Sequence, residues 1–155
     1  EKMTRGIVFG NRILDVVAIA CFAAQFYKVF SPMFKGEKAQ WIRLFQTGGM
    51  PSSHASTVVS LVTSIAMLKG VSSIEFAIAM VFAGIVLYDA TGIRRAAGEQ
   101  AKALNKLADS FERREGIEII DKDLKEFLGH TPLEVFFGCL LGIAVAVLFR
   151  GYILS

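Results

Sequence analysis

The sequence predicts an all-α, polytopic membrane protein: a helical bundle of about four membrane segments with a cytoplasmic amphipathic helical extension. Three observations point there. Hydrophobic residues make up 54% of the chain, and mean hydropathy is +0.51, too apolar for an ordinary soluble domain of this length. Charged residues, 20% of the total, are clustered, which leaves long uncharged runs. Those runs are bounded by Pro, Gly, Lys and Arg, as helix ends are.

Residues 1–12 are polar and basic. The first apolar segment extends from about Ile13 to Phe30 and stops before Ser31-Pro32, where proline cannot continue a helix. It runs on into a Lys-containing stretch without a small-residue cleavage pattern, so a signal peptide fits badly. The linker that follows carries Lys35, Lys38, Trp41 and Arg43, and Trp41 suits a membrane interface.

The second segment, Ala55–Leu68, is rich in Ser and Thr and shorter than the roughly 17–25 residues of a full span. It is expected either inside a bundle or with its ends covered by protein. The third runs from about Ile74 to Ile93. Beyond it Ala97, Ala101, Leu104, Ala108 and Phe111 recur at helical spacing, with Glu99, Lys102 and Lys106 on other faces. That pattern is an amphipathic extension at the interface. Residues 112–128 are charge-dense and also helically spaced. The fourth segment, Pro132–Phe149, ends at Arg150-Gly151. One integral membrane domain over 1–155 is expected.

If all four segments cross, the basic residues divide unevenly. Five of the 17 (Lys2, Arg5, Arg12, Lys69, Arg150) fall on one side and the other twelve on the opposite side. The positive-inside rule makes the richer side cytoplasmic. Both histidines of the chain, His54 and His130, open apolar segments on that same side.

Each histidine mouth has a structural and a chemical reading. In GGMPSSH, Gly48-Gly49 permit a tight turn, Pro51 fixes the approach, and Ser52 or Ser53 caps the next helix. The unpaired N–H groups of that first turn favour an anion such as phosphate, and His54 beside them can carry a proton. In LGHTPLE, Thr131 and Glu134 have capping-box spacing with Pro132 at the first helical position. Glu134 also lies one turn after His130 and can hold one ring nitrogen, leaving the other nucleophilic.

Arg94 and Arg95 follow the third segment, where headgroup anchoring is the plainer role and at most one can face a site. Asp89, near a membrane segment end, needs a partner, with Lys28 or an arginine as candidates. Lys28, Lys35 and Arg43 are further phosphate candidates. Neither metal-ligand spacing nor a nucleic-acid-binding pattern is present in the sequence, and Cys21 and Cys139 read as packing residues.

Taken together, GGMPSSH, YDATGIRRAAGEQAKALNKL and LGHTPLEVFFGCLLG resemble the short, divergent membrane branch of the type-2 phosphatidic acid phosphatase and vanadium haloperoxidase superfamily, over roughly residues 13–150. The resemblance implies a metal-independent phosphatase without cofactor. His130 would be the nucleophile, Glu134 would stand for the superfamily Asp, His54 would be the general acid, and Ser52 a phosphate contact. The substrate would be a phospholipid or isoprenoid phosphate, reached from the cytoplasmic face of a bacterial membrane.

The departures are specific. Ser53 replaces a glycine, Leu124 stands where an Arg is expected, and Lys35 and Arg43 miss the Lys-x6-Arg-Pro spacing. Arg94 or Arg95, with Lys28, is expected to supply the missing charge. The superfamily core has six helices, so a homodimer completing the bundle is expected. The competing expectation is a non-catalytic membrane protein binding anionic headgroups or a partner through the same basic pocket; a vanadate-dependent peroxidase is a remote third.

Overall fold

In the computed structural model, residues 5–36, 38, 39, 41, 49–115 and 130–155 are described, without the side chains of 34, 35, 93–95, 112 and 115. These residues form α1 (Arg12–Phe30), a 3-10 turn (Ser31–Lys35), α2 (Ser53–Lys69), α3 (Ile74–Thr91), α4 (Ile93–Glu115), α5 (Pro132–Leu148) and α6 (Arg150–Leu154). The charge-dense stretch after Glu115 and the linker carrying Arg43 lie outside the described residues.

Helix ends fall where local chemistry puts them. The Asn11 side chain accepts from Ile13 N and Leu14 N to open α1. Ser52, Ser73 and Thr131 likewise cap α2, α3 and α5 through their hydroxyl oxygens. Gly36 and Gly70, both at positive φ, end the 3-10 turn and α2. The third apolar segment stops at Thr91, two residues before the expected end, because the chain turns at Gly92. The amphipathic extension is α4. Its stripe is not a uniform buried face: Leu104 and Phe111 are half exposed, whereas Asn105 is 8% exposed.

Among the described residues two helices, Arg12–Met33 and Ile74–Phe111, are long and apolar enough to cross a membrane, and Pro132–Leu148 is a shorter apolar helix. Their outer faces are apolar: Phe22 and Phe26 on α1, Ile78, Val81 and Ile85 on α3, Phe136 and Leu140 on α5 are exposed. Such surface matches lipid rather than water. α2 has 17 residues, about 25 Å at 1.5 Å per residue, and takes the expected place inside the bundle, packed against α1, α3 and α5.

What lets α2 sit there is the absence of bulk. Ser52, Ser56, Ser60 and Ser64 recur every four residues and are fully buried. Gly138 and Gly142 of α5 lie against them: a Cβ at Gly138 would come 2.5 Å from Ser52 O, and one at Gly142 would come 2.6 Å from Ser56 O. Close backbone approach through small residues is how helices associate where lipid removes the hydrophobic drive. Hydroxyls add hydrogen bonds, with Ser56 Oγ donating to Ala20 O of α1 (2.9 Å) and Ser60 Oγ to Thr57 O (2.9 Å).

At the other end of the bundle, Asp15 gathers the chain termini. Its carboxylate accepts from Ile7 N (2.7 Å), Val8 N (3.3 Å), Phe9 N (2.8 Å) and the Tyr152 hydroxyl (2.6 Å). The Arg12 guanidinium lies over the Tyr152 ring. Val16, Ala20, Val145, Ala146 and Ile153 form the apolar cluster beside it.

Two outcomes follow. Gly142→Val should force α2 and α5 apart and lower stability by about 1–3 kcal/mol, the usual penalty of overpacking, read from thermal unfolding in detergent. Asp15→Ala should lower the unfolding temperature by removing the shared acceptor of the Ile7, Val8 and Phe9 N–H groups and the Tyr152 hydroxyl, while Asp15→Asn, which keeps one carbonyl oxygen, should lower it less in the same assay.

Candidate active site

Three helix ends meet around His130. Its backbone N–H donates to Ala90 O in the last turn of α3 (3.0 Å), and Ser52 N donates to Glu134 O (2.9 Å), pinning the start of α2 to the first turn of α5. The α2–α5 contact through Gly138 lies one turn further in. These ties bring together two residues 76 positions apart in sequence: His54 Nδ1 lies 3.4 Å from His130 Nε2. The rings are edge-to-face, with centroids 5.6 Å apart and planes at 64°.

On its other side His130 Nδ1 lies 3.1 Å from Glu134 Oε2. The same oxygen accepts from Thr131 N (3.2 Å), and Thr131 Oγ1 accepts from Glu134 N (3.3 Å), so the capping box is complete. Capping and orienting therefore coexist in one carboxylate. With Glu134 as the acceptor, His130 Nδ1 carries the hydrogen of that contact, and in the neutral ring the lone pair is then on Nε2, facing His54 Nδ1. His130 is 3% exposed and His54 half-buried.

The other sequence candidates distribute unevenly. Ser52 and Ser53 are buried at the mouth of α2; Ser52 Oγ accepts from Ala55 N (3.3 Å), the capping role. Lys28, in the last turn of α1, is 3% exposed, and its Nζ has no hydrogen-bond partner among the described residues. Among the described residues Glu134 is a carboxylate that acts on it electrostatically, and Gly49, at φ +80, passes over its methylene stem. Asp89 sits half-buried in the last turn of α3, next to the residue whose carbonyl holds His130. Arg94 and Arg95 begin α4 just past Gly92, their side chains outside the described set, and Arg43 lies wholly outside it.

Sequence reading missed the Gly138 and Gly142 contacts, the Ala90 carbonyl and the Asp15–Tyr152 clasp. The first had a visible trace, serines at 52, 56, 60 and 64 and glycines at 138 and 142, both spaced by four. The other two are long-range backbone or side-chain meetings that no local pattern announces.

Fold and site together define an all-helical membrane protein that holds two imidazoles and a carboxylate in a row at one end of its bundle. The chain belongs to the Divergent PAP2 family, whose profile matches residues 9–145. It is similar to "Uncharacterized membrane protein YuiD" of Bacillus subtilis (strain 168), 42% identical over 144 residues that cover 87% of this chain and 90% of that protein. No solved structure matches it.

Glu134→Ala should remove the acceptor from both His130 Nδ1 and Thr131 N. The expected loss is about 1–2 kcal/mol, the range for a lost cap, by thermal unfolding. Glu134→Gln, which retains an acceptor oxygen, should lose less, and an equal loss would mean that charge rather than capping governs this turn.

Proposed function

We propose that this protein is a metal-independent phosphatase of lipid-linked phosphates, of the phosphatidate, phosphatidylglycerophosphate or isoprenyl phosphate and diphosphate class. The observation that carries the reading is the row Glu134–His130–His54, with distances of 3.1 and 3.4 Å. A carboxylate that holds one ring nitrogen and leaves the other basic is the arrangement by which an imidazole is made nucleophilic.

In this mechanism the phosphoryl group lies at the N-terminus of α2, where backbone N–H groups and the helix dipole favour an anion. The buried Lys28 ammonium neutralises charge that builds in the transition state. His130 Nε2 attacks phosphorus in line as the bond to the leaving oxygen breaks. His54, as imidazolium, gives a proton to that oxygen and becomes neutral. In the second half neutral His54 takes a proton from water, the water oxygen attacks phosphorus, and the N–P bond breaks. Free phosphate leaves, His130 regains its lone pair, and His54 is again protonated.

The lipid class rests on the setting: the site lies at the end of a bundle whose outer surface is apolar, so a substrate anchored in the bilayer reaches it without leaving the membrane. The excess of Lys and Arg on the side of both histidines supports a cytoplasmic orientation.

The test is phosphate release from a panel of lipid phosphates by purified protein in lipid nanodiscs. Wild type should turn over at least one, with an acid-labile phosphohistidine trapped at residue 130. His130→Ala should abolish release, and His54→Ala should lower it roughly 10²–10⁴-fold, the contribution of a positioned general acid. Undiminished release from His130→Ala would remove the mechanism. Wild type that binds lipid phosphates without cleaving any would favour headgroup binding.

A further inference from the structure

The distance between the two histidines is too short for the reaction they are proposed to perform, and that mismatch has a consequence. In-line transfer puts the attacking nitrogen about 3–3.5 Å from phosphorus, with the acid about 2.6–3.2 Å from the leaving oxygen on the far side. The two nitrogens must then stand at least about 6 Å apart. Here they are 3.4 Å apart, and His54 Nδ1 occupies the side of His130 Nε2 from which phosphorus would be attacked.

We infer that the structure shows a closed resting state in which His54 caps the nucleophile, and that an entering phosphoryl group opens the site by displacing the His54 ring. The inference rests on the phosphatase reading for its ligand. Its geometry stands separately.

Which ring moves follows from burial and backbone anchoring. His130 is fixed on three counts: its backbone N–H to Ala90 O, its Nδ1 to Glu134, and burial to 3% exposure. His54 is half-buried, one residue into α2. The helix start beneath it is fixed by Ser52 N donating to Glu134 O, so displacement of the His54 ring is a side-chain rotation that leaves α2 in place. Lys28 Nζ is buried without a hydrogen-bond acceptor among the described residues, so a phosphoryl oxygen that reaches it supplies an acceptor as the contact between the two rings opens. The same motion carries His54 Nδ1 from the nucleophile to the far side of phosphorus, where a leaving oxygen needs a proton. Capped, His130 is also shielded from reaction with anything that does not first engage the anion site.

The chain has only two histidines, so ¹⁵N-histidine labelling reports on this pair alone. Wild-type protein in nanodiscs should show a through-hydrogen-bond N–N coupling between His54 Nδ1 and His130 Nε2. The coupling should disappear as orthovanadate or inorganic phosphate is titrated to saturation. In the absence of anion, His54→Ala should raise the rate of diethyl pyrocarbonate modification at His130 roughly two- to tenfold, the equivalent of one neutral hydrogen bond; His54→Gln gives a second variant should the alanine protein fold poorly.

Absence of the coupling in free protein, its persistence at saturating anion, or failure of both anions to perturb it at any concentration overturns the inference. The two readings fail differently. Lipid phosphate turnover with rings apart at rest leaves the phosphatase and removes the cap. Rings parted by vanadate in a protein that cleaves nothing keeps the cap and removes the phosphatase.

Discussion

The close approach of α2 to α5 is the constraint on which the rest depends. Neither helix is long, and α2 carries a serine at every fourth position where an apolar stripe would otherwise stand. Serine hydroxyls and glycine Cα atoms let the two backbones come nearly into contact, and the crossing point at Gly138 and Ser52 lies two residues before His54 and eight after His130. Bulk at that crossing would separate the imidazoles as surely as it would loosen the bundle. Packing and site geometry are here one property of one helix pair.

The two ends of the bundle solve a common problem with a common device. Chain that turns at a membrane face leaves backbone N–H groups unpaired, and apolar surroundings make such groups costly. At one end Asp15 accepts three of them together with the Tyr152 hydroxyl. At the other, Glu134 accepts Thr131 N and adds the His130 ring. Only at the second end does the carboxylate face an imidazole whose other nitrogen meets a second imidazole. The same chemistry closes a structural clasp in one place and lines up two imidazoles in the other, and the difference lies in what stands beside it.

Much of the fold was legible because membrane helices announce themselves by composition and by their punctuation. Apolar runs, Pro32, Gly70 and Arg150 marked element ends to within a few residues. The paired meaning of Thr131 and Glu134 followed from spacing alone, since a capping box is a local motif. The end of α3 was less legible: Ile93 continues the apolar run, yet the helix turns at Gly92, a backbone event that hydropathy does not register. The amphipathic stripe of α4 was read correctly as a helix and incompletely as a face. Asn105 is buried while Leu104 and Phe111 are half exposed, so neighbours rather than polarity decide which side of that helix is covered.

Sequence by itself determined the all-helical membrane class, the helix caps, and the placing of both histidines at helix mouths on one side, because each depends on residues near one another in the chain. Tertiary structure alone decided that His54 and His130 touch, and that Lys28 is buried beside Glu134. Those facts depend on how closely two helices can pack, and that closeness is set by atoms the glycines and serines lack.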